Sequence, residues 1–138
     1  MERQCPFCEV VAGTAPAEVV LDEAEVVVFL DRTPVFPGHL LVVPRIHVPD
    51  LPALPAQLLP TYFEVVQRVS ARVPGALASD GTFVATNNVV SQSVAHLHTH
   101  VVPRRRGDGL RGFFWPRHRY SSPDEMARYG ARLRAALA

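Results

Sequence analysis

Lysine is absent from this chain: all fourteen basic residues are arginine. A Schiff-base lysine and the lysine of a P-loop are thereby excluded. Cysteine is scarce, at two residues, so the chain is no disulfide scaffold. At 138 residues it is long enough to bury a core without one. The formal net charge is only +1, which argues against a nucleic-acid binder or a polybasic membrane binder. Apolar runs such as Val26 to Leu30 are far too short to span a bilayer. The first residues show no apolar signal core. A cytoplasmic protein with neither a membrane nor a nucleic-acid partner is expected. Hydrophobic residues at 48% and charged residues at 20% fit a single globular domain over 1–138 rather than disorder.

What remains is two cysteines and six histidines. In a reducing compartment the cysteines suggest a metal site or a redox pair more than a disulfide. Val-rich strands are expected at 18–21, 25–31 and 39–43. Leu59, Tyr62, Phe63, Val66, Val69 and Val73 recur at three- and four-residue spacing, which predicts a helix over 57–73 ended by Pro74-Gly75. Pro60 fits that helix only in its first turn. Strands follow at 82–86 and 96–102. Residues 103–120 read as an irregular arm. Ser122-Pro123-Asp124-Glu125 is a capping box that opens a last helix over 123–137. Residues 5–13 read as a helical turn closed by Gly13. The fold class is α+β: about five antiparallel strands, one long helix packed on the sheet and a C-terminal helix.

The stretch His96-Leu97-His98-Thr99-His100 places half of the histidines within five residues. On a strand, alternate side chains share a face, so the three imidazoles line one side. A chance stripe is the alternative, and the clustering argues against it. Neutral imidazole can coordinate a metal, attack phosphorus, or donate a hydrogen bond to a phosphate oxygen. Cys5-Pro6-Phe7-Cys8 also has several readings: free thiols, a redox motif, or half of a zinc site. A redox motif follows a buried strand and opens a long helix, a context this stretch does not show.

His96 to Val102 resembles the H-x-H-x-H-x-x signature of the histidine-triad (HIT) superfamily of nucleotide hydrolases and transferases. Phe29-Leu30-Asp31, Pro34, Gly38 to Arg45, His47 and Gln92-Ser93-Val94 extend the likeness over residues 5–108. The resemblance implies a HIT-like fold and cleavage of a nucleotide at its α-phosphate. His98 would be the nucleophile and form a nucleotidyl-histidine later hydrolysed by water. Gln92, Ser93 and His100 would surround the phosphate and complete the catalytic group, with Asn88 nearby. Asp31 would accept hydrogen bonds from the ribose. Phe7, Val10, Phe29 and Leu30 would wall the base pocket, with plain core packing as their other reading. His39 would support the triad, or be a satisfied core histidine. The family's zinc-containing, bacterial-type members imply one structural zinc on Cys5, Cys8, His47 and His96. A homodimer is implied as well.

The stretch 87–92 contains no glycine, where the family has a Gly-rich loop, and this predicts a different loop shape. Thr99 stands where the family has an apolar residue. Pro103-Arg104-Arg105-Arg106 resembles the dinucleoside-polyphosphate hydrolases, which makes those the first substrate expected. Adenosine phosphoramidate hydrolysis and non-catalytic nucleotide sensing are the alternatives. The Arg-rich stretch 104–119 reads as a solvated arm or as a phosphate- or partner-binding one. Phe113-Phe114-Trp115 would pack on a partner subunit, flank a base, or enter the chain's own core.

Overall fold

The computed structural model describes residues 4–110 and 116–138, so the Phe113-Phe114-Trp115 cluster lies outside the described residues. The chain divides into two compact units, one ending at Asp108 and the other beginning at Gly109. The first unit holds helix α1 (Pro6–Ala12), strands β1 (Val19–Asp22), β2 (Val26–Leu30) and β3 (Leu40–Pro44), two short 3-10 turns, helix α2 (Leu59–Leu77), and strands β4 (Gly81–Thr86) and β5 (Thr99–Arg104). The second holds helix α3 (Pro123–Leu137). The five strands form one antiparallel sheet in the order β1-β2-β3-β5-β4. The α+β expectation is met.

The centre of the sheet is covered on both faces, and for that reason β2 and β3 are Val-rich without alternation. Val26, Val28, Val42, Leu97 and Val101 pack under Tyr62, Val65, Val66 and Val73 of α2. Val27, Phe29, Leu41 and Val43 face the other way and pack under Phe7, Val10 and Val11 of α1. Adjacent residues of one strand thus serve two cores.

Two boundaries differ from the sequence expectation. Helix α2 runs through Pro74 and Gly75 to Leu77. Its end is satisfied from outside: the backbone N–H of Ala78 donates to Pro74, and the Arg105 guanidinium donates to the Leu77 carbonyl at 2.6 Å. Pro74 lacks the N–H that would reach the Ser70 carbonyl, and the helix continues past it for three residues. Strand β5 begins at Thr99 rather than at residue 96, because its ladder with β3 stops at Val42 opposite Thr99. Ahead of it, the Leu97 N–H donates to Val48 at 2.8 Å, in the connector beyond β3. The alternation survives outside the ladder. Leu97 and Val101 point to the α2 core, while the rings of His96 and His98 meet Phe7 on the α1 side.

Thr99 points to the α2 side and is 2% exposed. Its hydroxyl lies 2.7 Å from both the Tyr62 and the Thr86 hydroxyls, and Tyr62 also donates to the Val42 carbonyl at 2.9 Å. This departure from an apolar residue is a satisfied polar knot joining α2, β3, β4 and β5. Burial pushes the Tyr62 phenol well above its ordinary range, so it remains a donor.

In the second unit, α3 has the predicted N-cap: Ser122 Oγ accepts the Glu125 N–H at 3.1 Å. The Glu125 carboxylate is engaged by Ser121. Among the described residues no helix is long and apolar enough to cross a membrane.

Candidate active site and metal centre

A cavity of about 710 Å³ opens between α1, the end of β2 and the segment leading into β5. Phe7, Val10, Phe29 and Leu30 line one part of it, with Asp31 beside them. Ser93, Val94, His98 and His100 line the other. The expected base wall, ribose carboxylate and triad members therefore share one cavity. Phe7 stands edge-on to Phe29 at 5.4 Å and to His98 at 5.1 Å between ring centroids.

His98 is 4% exposed, and its Nδ1 lies 2.7 Å from the His96 carbonyl. A carbonyl only accepts, so Nδ1 carries the proton and Nε2 keeps its lone pair.

His39 and His100 are oriented by a chain of donors. The Val35 N–H donates to His39 Nδ1 at 3.1 Å. The single proton of neutral His39 must then sit on Nε2, which donates to His100 Nδ1 at 2.8 Å. That leaves the proton of His100 on Nε2, as a further donor. Burial lowers the His39 pKa and carries that of His100 down to about 4, where the charges of His98 and His39 add to the effect. Both rings are neutral at pH 7. Asp31 is held in place as well: Oδ1 accepts from the Thr33 N–H at 2.9 Å, and Oδ2 lies 3.8 Å from His39 Nε2. Gly38 precedes His39 with φ +94, and a β-carbon there would run into the Leu77 side chain.

Gln92 and Asn88 are not brought to the cavity wall. The Gln92 amide donates to the Pro49 carbonyl at 2.5 Å, and Asn88 Oδ1 accepts the Leu51 N–H at 3.1 Å. The glycine-free loop between them makes its turns with Val89 and Ser91 at φ +69 and +60, the left-handed region that glycine favours. Of the arginines after the triad, Arg104 is gripped by both Asp108 oxygens and Arg105 caps α2.

Cys5, Cys8, His47 and His96 converge, with all four ligand atoms within 4.8 Å of one another. His96 Nδ1 lies 3.5 Å from each sulfur and 3.2 Å from His47 Nδ1, and Cys8 Sγ lies 3.3 Å from His47 Nδ1. In a tetrahedral zinc site, N–N edges are about 3.3 Å and N–S edges about 3.5 Å. The tautomer fits too: His96 Nε2 donates to the Pro44 carbonyl at 3.0 Å, so Nδ1 offers its lone pair to the cluster. Burial, then hydrogen bonding to Cys5 and its charge, push the Cys8 thiol up to about 11. A divalent cation reverses that cost by binding the thiolates. The donor set and spacing suit four-coordinate zinc.

Asp31, His39 and His100 also bring ligand atoms within 4.8 Å of one another. Their chemistry opposes a cation. For His39 Nε2 to ligate, its proton would have to move to Nδ1, against the Val35 N–H. Sequence reasoning missed Thr33 and Val35. The Val35 contribution is a backbone group and leaves no mark in the residue type.

The HIT domain family model matches residues 12–107. A crystal structure of a HIT family member from Bacillus subtilis is 30% identical with a TM-score of 0.88, covering 99% of both chains. A zinc-bound histidine triad family protein from Mycobacterium smegmatis is 34% identical with a TM-score of 0.74, covering 96% of this chain and 97% of that one. Adenosine 5'-monophosphoramidase hnt1 of Schizosaccharomyces pombe is 27% identical over 135 residues, 96% of this chain and 98% of its own length. The chain belongs to the HIT family.

Proposed function

We propose that the protein is a nucleotide hydrolase that cleaves at the α-phosphate through a nucleotidyl-His98 intermediate. The observation that carries this reading is the His98 tautomer. With Nδ1–H held by the His96 carbonyl at 2.7 Å, the Nε2 lone pair is free for attack. Nε2 forms a bond to the α-phosphorus as the bond to the leaving group breaks. The resulting cationic imidazole is stabilised by the same carbonyl. Water then attacks phosphorus, the N–P bond breaks, its electron pair returns to Nε2, and the nucleoside monophosphate leaves.

His100 is neutral and presents Nε2–H, so it acts as a hydrogen-bond donor to the charged phosphoryl oxygens rather than as an acid. Ser93 lines the same end of the cavity, and its hydroxyl relays a proton from solvent to the leaving group. Asp31 takes the ribose hydroxyls, and Phe7, Phe29 and Leu30 enclose the base. Gln92 would have to leave Pro49 to join them. His39 sets the His100 tautomer. One structural zinc on Cys5, Cys8, His47 and His96 would hold α1 against His96.

The leaving group separates two readings. Cleavage of dinucleoside polyphosphates rests on the arginines after the triad. Phosphoramidate cleavage is favoured by two observations: Arg104 and Arg105 are engaged within the fold, and the Schizosaccharomyces pombe relative bears the name of a phosphoramidase. The phosphoramidate reading stands first. A homodimer is proposed too, supported by the position of β4 at the sheet edge with Val84 exposed. Light scattering tests it.

The decisive experiment compares adenosine phosphoramidate with diadenosine tri- and tetraphosphate on wild type and His98→Ala. Turnover should fall by about 10⁴-fold or more in the variant while AMP binding persists. Rapid turnover by His98→Ala would overturn the mechanism. Tight AMP binding by the wild type with no turnover of any substrate would mark a nucleotide sensor instead.

A further inference from the structure

We propose that cation occupancy of the Cys5, Cys8, His47 and His96 cluster sets how tightly the cavity holds its nucleotide, with Phe7 as the mechanical link. The inference rests on the nucleotide reading of the cavity and deepens it from a static fold anchor to a coupled pair of sites. Phe7 lies between the two cysteines in sequence. Its ring stands 6.0 Å from the His96 ring, 5.1 Å from His98 and 5.4 Å from Phe29. One side chain thus touches a metal ligand, the nucleophile and the base wall.

The helix that carries Phe7 is poorly able to hold itself. It spans seven residues and has no fully buried side chain. Isolated helices shorter than roughly 12 residues are marginal in water. Cys5 is its N-cap, with Sγ accepting the Cys8 N–H at 3.4 Å, so the ligand sulfur also starts the helix. Pro6, Phe7, Glu9 and Val10 of this helix line the cavity. Displacing α1 therefore displaces a wall. A second path runs through His96, whose ring faces the cluster while its carbonyl orients His98.

Coupling between sites is reciprocal: if the cation tightens nucleotide binding, the nucleotide must tighten cation binding by the same factor. The test uses that reciprocity on folded, loaded protein. Zinc affinity is measured by competition with a chromogenic chelator, with and without saturating AMP, for wild type and Phe7→Ala. AMP should tighten zinc binding by about tenfold in wild type, within the usual range for such couplings, and by less than about twofold in Phe7→Ala. Far-UV circular dichroism checks the fold, and Phe7→Leu replaces the alanine variant if that one is unfolded.

Unchanged zinc affinity in a wild type that calorimetry shows to bind AMP overturns the proposal. So does a full tenfold effect retained without the Phe7 ring. If loaded wild type binds no AMP, the nucleotide reading has failed, and the link is then read from His98 alone. Chelation should shift its imidazole proton resonance clearly more in wild type than in the Phe7 variant, where only the His96 path remains. A resonance that does not respond in wild type refutes the link.

Discussion

Two groups of metal-ligating residue types lie on either side of His98. Cys5, Cys8, His47 and His96 make one, and Asp31, His39 and His100 the other. In both, histidine rings approach within 3.2 Å or less. They differ in what holds the far side of the ring. His96 Nε2 gives its proton to the Pro44 carbonyl, which turns a lone pair toward the cluster. His39 Nδ1 receives the Val35 N–H, which turns a proton toward the cluster. One site is ready for a cation, while the other passes a hydrogen bond along a chain. Residue type and proximity do not separate them; the backbone partner of each ring does.

The widest gap between the two groups should appear in metal content. Cys8→Ser should lose the single zinc of the loaded protein, and His39→Gln should keep it, as read by elemental analysis. Zinc lost from His39→Gln but kept in Cys8→Ser would reverse the comparison. Stability should follow, since structural zinc contributes on the order of 10 kcal/mol in small zinc domains, and Cys8→Ser should melt far lower.

A pH titration sharpens the contrast from the other side. The His100 pKa is lowered from its ordinary value of 6.5 to about 4. Its imidazole proton resonance should therefore stay flat through pH 6.5 and move near pH 4. The unfolded chain takes up that proton first, so this group's contribution to stability is complete above pH 6.5. It is lost as the pH falls toward 4. A midpoint near 6.5 would mean that His100 is not buried as a neutral donor.

Smaller effects test the frame that holds both groups. Thr99→Val leaves the Tyr62 and Thr86 hydroxyls each without one partner and should cost about 1–3 kcal/mol in denaturant unfolding. No loss would show that the knot is idle. Val89→Gly relieves a β-branched residue at φ +69 but loosens the unfolded chain, so a net gain of about 0.5 kcal/mol is expected. A destabilised Val89→Gly would mean that the valine side chain makes a contact worth more than its strain.

Much of this was legible in the sequence. Strands β1 to β4 fall within a residue or so of their expected limits, because Val-rich runs and turn residues are local signals. Helix α2 exceeded its expected end because an Arg105 nearly thirty positions away caps it. The start of β5 shifted because Leu97 pairs with Val48 rather than with β3. Thr99 departs from the family pattern in the sequence, and only the fold brings the Tyr62 and Thr86 hydroxyls to it. The four-ligand cluster followed from the resemblance and not from spacing, since His47 and His96 reach the cysteines only through the fold. The tautomers of His39, His96 and His98 depend on single backbone groups, and no residue type announces those.

His96 serves two sites through two ends. A cation at the cluster would need its imidazole, whereas His98 needs only its carbonyl, which every amino acid possesses. Over evolutionary time the two demands can part company. A lineage could trade the cysteine–histidine quartet for an apolar plug of similar volume while His98 kept its orienting oxygen. Position 96, fully buried, would then be held by packing rather than by a metal, beside an unvarying position 98.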